Sequence, residues 1–188
     1  NFDFLQSRAA KFGFSLEQIS PVYFQGKPVS STWIRDELAR GNLAKLPALL
    51  GRQHSVHGAV QAGFQRGRAL GFATANLAPG ALLLPPNGVY ACLARLNDDK
   101  KYIVAACNLG FNPSFGNSKI SLEAHLLDFT GEIYGQDLRL YFVDYLRAEK
   151  IFATPQELGE QIQSDVQKTR EIIAKVRAGR NFAEVYPL

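Results

Sequence analysis

The chain has 188 residues, of which 46% are hydrophobic and 20% are charged, and its formal net charge is +4. This length accommodates one or two small domains with a buried core, and this composition is typical of a globular protein. No apolar run reaches the ~18 residues of a membrane-spanning helix, and the first residues lack the apolar region of a signal peptide. We therefore expect a cytoplasmic protein that does not insert into membranes.

The basic charge balance, with a pI near 9.1, suits a polyphosphate ligand. Basic residues do not form a stripe with interleaved aromatic residues, so the sequence does not indicate nucleic-acid binding. Cys92 and Cys107 lie in apolar, strand-like sequence and match no metal-ligand spacing. We expect both to be reduced and to pack as small core residues. The sequence does not indicate an oligomeric state.

The first 50 residues alternate between short helical and extended segments. NFDF at the start is strand-like, and the sequence that follows it to Ser31 indicates helix, strand and loop. SSTWIRDELARG predicts a helix with Ser31 or Thr32 as its N-cap and Gly41 just past its end. Residues 42–52 predict a short helical connector, whose regularity Pro47 limits.

From Gly58 onward the spacing of hydrophobic residues changes from helical to twofold. Six segments rich in Val, Leu, Ile, Tyr and Phe are separated by turn sequences such as PPNG and TGEIYG, and they lie near residues 55–62, 70–77, 88–96, 101–109, 119–128 and 137–145. Short strands with turn signals between them predict an antiparallel sheet that closes or nearly closes. Asn97, Asp98 and Asp99 predict a hairpin turn.

The last predicted element is a long amphipathic helix. Thr154 precedes Pro155 at the first helical position, and Glu157 at the third helical position completes a capping box. Gly179 is expected to end the helix. The apolar stripe must be buried and the barrel is the available surface; the stripe contains Leu158, Ile162, Val166, Ile173 and Val176.

Residues 58–76, GAVQAGFQRGRALGFATAN, begin as a strand and break into a basic loop that contains Gly63 and Arg68. Glycine allows backbone N–H groups to approach a polyanion, and arginine supplies positive charge. Thr74 and Asn76 point to the same side of an extended segment, where hard oxygen donors suit Mg²⁺ beside phosphate. An ordinary turn is the alternative, because the sequence matches neither G-x-x-x-x-G-K-[ST] nor G-x-G-x-x-G.

GRALGFATANL resembles the G-R-x-L-G-F-P-T-A-N-L motif of riboflavin kinases, the kinase module of bacterial bifunctional flavokinase/FAD synthetases. The similarity continues in order through VYACLARL, AACNLGFNPSFG, LEAHLLDFTGEIYG and LRAEKIF, and it covers about residues 49–170. It implies a mainly β fold, a six-stranded antiparallel Greek-key barrel with a C-terminal helix, preceded by a partial α/β segment. Ala73 departs from the motif's proline, which would restrict φ, so we expect a less preorganised loop here.

The segment ISLEAHLLDF contains the catalytic base that the resemblance implies. Alternation places Ser121, Glu123 and His125 on one face of a strand, and a solvated polar face is the alternative interpretation of all three. Glu123 matches the glutamate of the V-E-x-H-L-L-D-F motif, which takes the proton of the attacking hydroxyl. His125 is the rival base, and we interpret it as a structural hydrogen-bonding residue.

The resemblance also implies a nucleotide site, with ATP as co-substrate and Mg²⁺ as cofactor. Thr74 and Asn76 correspond to the residues that hold Mg²⁺ against the ATP phosphates. Positions that match the ATP loop or lie near the base and sugar of the nucleotide are Gly63, Arg68, Leu126 and Tyr134. For Leu126 and Tyr134, packing in the core is the alternative.

In LRAEKIF, three residues match positions that line the flavin site, namely Arg147, Lys150 and Phe152. An aromatic ring and two cations suit a stacked isoalloxazine and a new phosphate. By itself this segment is a charged loop before a helix. The implied reaction converts riboflavin and ATP into FMN and ADP.

SSTWIR resembles the S-S-T-x-I-R motif of the adenylyltransferase module of FAD synthetases, for which a capped helix is the structural alternative. The H-x-G-H motif of that module is absent, and Leu5 follows Phe4 where that family has a glycine-rich loop. We expect residues 1–50 to be a partial adenylyltransferase module with its connector, and residues 51–188 to be the kinase barrel. Two other functions stay open: a flavin-binding or regulatory module that lacks turnover, and part of a complete FAD synthetase that also adenylylates FMN.

Overall fold

The computed structural model describes residues 2–62, 72–78, 82–97, 99–112, 119–179 and 182–186. The chain divides into two compact units, Asn1–Ser30 and Ser31–Leu188. None of the helices in the described residues combines the length and the apolar character that a membrane crossing requires. The module boundary that the sequence predicts between residues 50 and 51 is a different division from that between these compact units, and it stays a prediction.

The first unit contains helix α1, Phe2–Phe12, and a hairpin of β1, Tyr23–Phe24, with β2, Lys27–Pro28. The strand expected for NFDF is wrong, because Phe2, Asp3 and Phe4 lie in α1. Asp3 in the first turn and Lys11 in the last turn favour a helix through its dipole. Gln25 and Gly26 link the hairpin with φ values of 50° and 75°, the left-handed pair that a tight two-residue hairpin turn requires.

The second unit is built around six strands that form a closed antiparallel barrel in the order β3-β4-β7-β6-β5-β8. The strands are β3, Ser55–Gln61; β4, Ala75–Leu77; β5, Gly88–Leu96; β6, Ile103–Asn112; β7, Lys119–Leu126; and β8, Asp137–Arg147. Three helices, a 3₁₀ turn and a short C-terminal helix complete the described elements, namely α2, Ser31–Ala39; the 3₁₀ turn Leu43–Lys45; α3, Leu46–Leu50; α4, Pro155–Ala178; and α5, Phe182–Val185.

The predicted fold class, a six-stranded antiparallel barrel with a C-terminal helix, is confirmed. Strands β4 and β5 are consecutive along the chain, yet β7 and β6 lie between them in the barrel, which is the Greek-key feature. All six predicted segments contain a strand, although only Ala75–Leu77 of the segment near residues 70–77 is one in the described part. Asn97, at the predicted hairpin turn between β5 and β6, has a φ of 46°; Asp98 lies outside the described residues.

Twofold alternation fills the barrel with small and branched side chains. On β7, for example, Leu122, Ala124 and Leu126 face the core, whereas Ser121 and Glu123 face outward. Cys92 and Cys107 are buried and free in the same core, and burial raises the pKa of the Cys92 thiol. Their predicted packing role is confirmed.

Helix α4 covers part of the outside of the barrel, so that β5 is buried on both faces. The predicted N-cap is confirmed, since the Glu157 amide donates to Thr154 Oγ1 at 3.2 Å. The Glu157 carboxylate accepts from the amide of Ala153 at 3.1 Å, one residue before the Thr154 amide that a capping box would use. The helix ends before Gly179, but this residue has a φ of −70° instead of a left-handed conformation.

The buried face of α4 coincides only in part with the predicted apolar stripe, of which Ile173 and Val176 pack against the barrel. Its fully buried residues are Asp165, Thr169 and Ile173, spaced by one helical turn, whereas Leu158, Ile162, Val166 and Val176 are only partly buried. The helical spacing of hydrophobic residues cannot reveal this face, because two of its three fully buried residues, Asp165 and Thr169, are polar. Both are satisfied: Thr169 Oγ1 donates to the Asp165 carbonyl at 2.7 Å, and the Asp165 carboxylate pairs with β8.

The segment from α2 to α3 forms the predicted helical connector, and its Leu38, Leu43 and Leu46 belong to the barrel core. Helix α2 begins at Ser31, which places the two candidate caps, Ser31 and Thr32, inside its first turn. Its buried Glu37 accepts hydrogen bonds from the side chains of Lys45 at 2.8 Å, Asn42 at 2.6 Å and Trp33 at 2.7 Å. These bonds lower the pKa of Glu37 to about 2.

His54 and His57, near the start of β3, each have a polar partner. His54 Nε2 lies 3.1 Å from the Leu83 carbonyl oxygen, and His57 Nδ1 lies 3.4 Å from Asp137 Oδ1. Burial lowers the pKa of His54. Both partners lie outside β7.

Candidate active site

A row of three polar residues crosses the outer face of β4, β7 and β6. In the strand register Glu123 lies opposite Asn76 on one side and opposite Asn108 on the other. Residues paired across antiparallel strands have Cβ atoms about 4.5–5.5 Å apart. The predicted base therefore has an amide side chain on each side. Asn108 had not been identified from the sequence, because only the register of β6 against β7 reveals its position.

The neighbours of Glu123 along β7 have separate partners. Ser121 Oγ donates to Glu123 Oε1 at 3.3 Å. His125 Nδ1 lies 2.8 Å from the Ala73 carbonyl oxygen, and the Phe72 ring meets the imidazole edge-on at 5.4 Å. The predicted structural hydrogen bond of His125 is confirmed. The half-buried Glu123 carboxylate can still accept further hydrogen bonds from a substrate.

A cavity of about 430 Å³ lies between the start of β4 and the residues that follow β7. Three residues predicted to contact the nucleotide line it, namely Thr74, Leu126 and Tyr134. Leu126 also packs in the barrel core, so its two interpretations are compatible. We call this space the β4–β7 cavity. Phe129 and Ile133 also line this cavity and make part of its wall apolar, as a binding site for a planar base requires.

The other two predicted nucleotide residues, Gly63 and Arg68, lie outside the described residues. Thr74 and Asn76 are on the outer face of the same extended segment, since Ala75 and Leu77 between and after them point into the core. Within the described residues, no three His, Cys, Asp or Glu side chains cluster as a metal site. Hydroxyl and amide oxygens are hard donors that fit Mg²⁺ when phosphate and water complete its coordination.

The predicted flavin residues lie at the end of β8 and in the loop before α4. Two N–H groups of the Arg147 guanidinium donate to the Asp165 carboxylate: Nε–H is shared between its two oxygens at 3.1 and 3.0 Å, and Nη2 donates to Oδ2 at 2.8 Å. It also lies over the Phe152 ring, 5.7 Å from the centroid. Gln161 donates to Asp165 Oδ1 at 3.0 Å. The structure thus brings Arg147 and Phe152 together, but it pairs the Arg147 charge with Asp165.

Residues 148–152, which we call the strap, approach the outer face of β6. The Glu149 carboxylate lies so close to Gly110 that a Cβ atom there would overlap it. Asn108 Nδ2 also lies 3.5 Å from Glu149 Oε1. The strap, which carries Lys150 and Phe152, is therefore docked beside the Asn76–Glu123–Asn108 row. Glycine at position 110 allows this approach.

The polar row thus lies between two different surfaces. The β4–β7 cavity is on the Asn76 side, and the strap with its aromatic ring and exposed Lys150 is on the Asn108 side. A transfer reaction requires separate binding surfaces for its two substrates near one reactive group.

The family model named flavokinase, riboflavin kinase, matches residues 50–173. The chain belongs to the riboflavin kinase family. Its relatives include the bifunctional riboflavin kinase/FMN adenylyltransferases of Pseudomonas fluorescens, 36% identical over 93% of this chain and 56% of the relative, and of Bacillus subtilis, 34% identical over 81% of this chain and 49% of the relative. The chain therefore spans about half the length of these relatives.

Solved structures agree with the riboflavin kinase fold. A riboflavin kinase from Trypanosoma brucei has a TM-score of 0.51 and 24% identity over 66% of this chain and 82% of that chain, a similarity that concerns the fold alone. A crystal structure described as a macrolide-efflux protein from Streptococcus pneumoniae has a TM-score of 0.72 and 30% identity over 81% of this chain and 50% of that chain.

Proposed function

We propose that this chain transfers the γ-phosphate of ATP to the ribityl 5′-hydroxyl of riboflavin and releases FMN and ADP, with Mg²⁺ as cofactor. The observation that carries the proposal is the position of Glu123 in the polar row: Asn76, on one side, follows residues that line the β4–β7 cavity, and Asn108, on the other side, contacts the strap. Membership of the riboflavin kinase family supplies the substrates, and the two surfaces supply a separate place for each of them.

In the proposed reaction the hydroxyl oxygen of riboflavin bonds to the γ-phosphorus of ATP. Its proton passes to the Glu123 carboxylate, and the bond from the γ-phosphorus to the β–γ bridging oxygen breaks so that ADP leaves with the electron pair. Ser121 donates to only one oxygen of Glu123, which leaves the other to accept the proton. Asn108 lies opposite Glu123 in the register, where its amide can orient the hydroxyl.

The nucleotide is proposed to occupy the β4–β7 cavity, with its base and sugar against Leu126 and Tyr134. Thr74 and Asn76 would hold Mg²⁺ at the phosphate end, where the ion neutralises the charge of the transferred group. Gly63 and Arg68, which lie outside the described residues, are proposed to contact the phosphates.

The flavin is proposed to lie against the strap, stacked on Phe152. The guanidinium of Arg147 is already paired with Asp165, so its role in this proposal is to hold the Phe152 ring. Lys150 is exposed, and none of the described residues pairs with it. We therefore propose that Lys150 supplies the cation near the new phosphate, whereas Arg147 holds the Phe152 ring.

For the first 50 residues we propose a remnant of an adenylyltransferase module, with the kinase barrel from residue 51 onward and a cytoplasmic location for the protein. Two observations support the remnant: SSTWIR resembles a motif of that module, and the relatives are bifunctional proteins about twice as long. Trp33 and Glu37 of α2 pack against Lys45 of the connector, so this segment also has a structural role that is independent of adenylyl transfer.

Incubation with riboflavin, ATP and Mg²⁺, followed by chromatographic separation of the flavins, tests the proposal. We expect the wild-type chain to form FMN, and we expect no FMN or FAD when EDTA replaces Mg²⁺. The Glu123→Gln variant is the matched control, because glutamine retains the shape of glutamate but cannot take the proton. Bound but unchanged riboflavin would favour a regulatory flavin-binding module, and FAD in addition to FMN would favour an active adenylyltransferase.

A further inference from the structure

We infer that His125 is a positioning residue for the metal ligand Thr74, an inference that rests on the proposed function. The strand pairing of β4 with β7 begins at Ala75, opposite Ala124, and its pairing with β3 covers only Asn76 and Leu77. Thr74 therefore lies just outside the regular ladder. Its position must be held by contacts other than strand pairing.

His125 supplies such contacts to both residues that precede Thr74. Its Nδ1 atom lies 2.8 Å from the Ala73 carbonyl oxygen, and its ring meets the Phe72 ring at an interplanar angle of 84°. A carbonyl oxygen only accepts hydrogen bonds, so Nδ1 must carry the proton. The chain segment from Phe72 to Thr74 is thus bonded through its backbone to β7.

The same strand carries the proposed base. Glu123 and His125 are two residues apart on one face of β7, a separation of about 7 Å along the strand. The base and the residue that holds the metal-binding segment are consequently part of one rigid element. This arrangement fixes Thr74 relative to Glu123, so that the phosphate bound at Thr74 stays aligned with the hydroxyl that Glu123 deprotonates.

A positioning role and a purely structural role differ in what a mutation changes. Ala73 is exposed, so water can replace the imidazole at its carbonyl, and the fold should tolerate the loss of this bond. Residues that orient a metal ligand change metal affinity by about 10–100-fold when they are removed. We therefore expect His125 substitutions to weaken binding of the Mg²⁺–ADP complex, whereas the unfolding temperature should change little.

The main experiment compares His125→Leu, which removes the donor, with His125→Asn, whose side-chain amide can replace Nδ1–H. Calorimetry should show that Mg²⁺–ADP binds about 10-fold more weakly to the leucine variant, that the asparagine variant recovers most of the affinity, and that metal-free ADP binds all three proteins alike. Hydrogen exchange at the Thr74 amide should be faster in the leucine variant. His57→Leu is the control, because the partner of His57 is Asp137 of β8 and not the segment that carries Thr74.

A measurement on the wild-type chain avoids any folding defect of the variants. Nitrogen NMR should find the neutral His125 ring protonated at Nδ1, and a ring protonated at Nε2 would overturn the inference. Unchanged Mg²⁺–ADP affinity in His125→Leu would overturn it as well. If the wild-type chain forms no FMN while the tautomer, the exchange rate and the Mg²⁺–ADP results hold, the proposed function fails and the positioning role stands.

Discussion

The Arg147–Asp165 ion pair is predicted to be the principal polar link between the barrel and α4. Asp165→Asn preserves the size of the side chain, but it removes the charge and replaces one acceptor oxygen with a donor. That donor would then face the two guanidinium N–H groups of Arg147 that now donate to the carboxylate. The variant therefore tests the charge and hydrogen bonding of the pair with little change in packing volume.

The size of the effect follows from burial. Only 4% of the Asp165 side chain and 16% of the Arg147 side chain are exposed. Removing one partner of a fully buried pair costs about 3–5 kcal/mol, and a hydrogen bond to a charged group contributes about 1.5–3 kcal/mol. Because Arg147 keeps some contact with water, we expect about 2–3 kcal/mol, which corresponds to a fall of about 4–12 °C in Tm for a chain of this size.

Urea unfolding and thermal melting at pH 7 measure this loss, and the chain offers a matched control. Arg170 of the same helix binds Asp128 with two bonds of 2.7 and 2.8 Å, but 44% and 72% of these side chains are exposed. Water and salt screen an exposed pair, so Asp128→Asn should barely shift either transition. In Asp165→Asn the KM for riboflavin should also rise, since Arg147 no longer holds Phe152, while the KM for ATP stays constant.

Equal losses in the two variants would refute this reasoning, because the two pairs have the same chemistry and differ mainly in exposure. A normal Tm in Asp165→Asn with a raised KM for riboflavin would show that the pair shapes the flavin site without stabilising the fold. In that case the buried carboxylate would need another explanation than the attachment of α4.

Four further results are expected. Glu123→Gln should lower kcat by about 10²–10⁴-fold with nearly unchanged binding of both substrates, because only the proton transfer is lost; normal kcat in steady-state assays would contradict its role as base. Thr74→Ala should abolish most turnover while the circular dichroism spectrum stays unchanged, and Asn76→Asp should alter the Mg²⁺ dependence of turnover. If neither variant changes that dependence, Thr74 and Asn76 are not metal ligands. Ala73→Pro should raise stability by up to ~1 kcal/mol in urea unfolding if the local φ is compatible with proline, and a loss would show a different loop geometry. For Glu37, whose folded pKa is lowered to about 2, the stabilisation is complete above its unfolded pKa near 4.5 and is lost as pH falls through 2; the stability difference between wild type and Glu37→Gln should shrink over that interval.

Much of the fold could be predicted because its signals are local. The alternation of Leu122, Ala124 and Leu126 with polar neighbours requires only that a strand have a twofold repeat. The cap at Thr154 depends on residues that are three positions apart. Where local signals compete, prediction failed: Phe2 and Phe4 look strand-like, yet they lie in α1, whose charge pattern favours a helix.

The sequence by itself determined that the chain forms a barrel, that Glu123 lies on a polar face, and which family it resembles. Only the tertiary structure decided which side chains meet on that face. Asn108 lies opposite Glu123 because of one register between β6 and β7, and a shift by one residue would turn the whole set to the core. Arg147 and Asp165 are 18 residues apart, and their contact depends on how α4 crosses the barrel. Such contacts between distant segments leave no periodic trace in a single sequence, which is why the residues that hold the site in place emerged only from the fold.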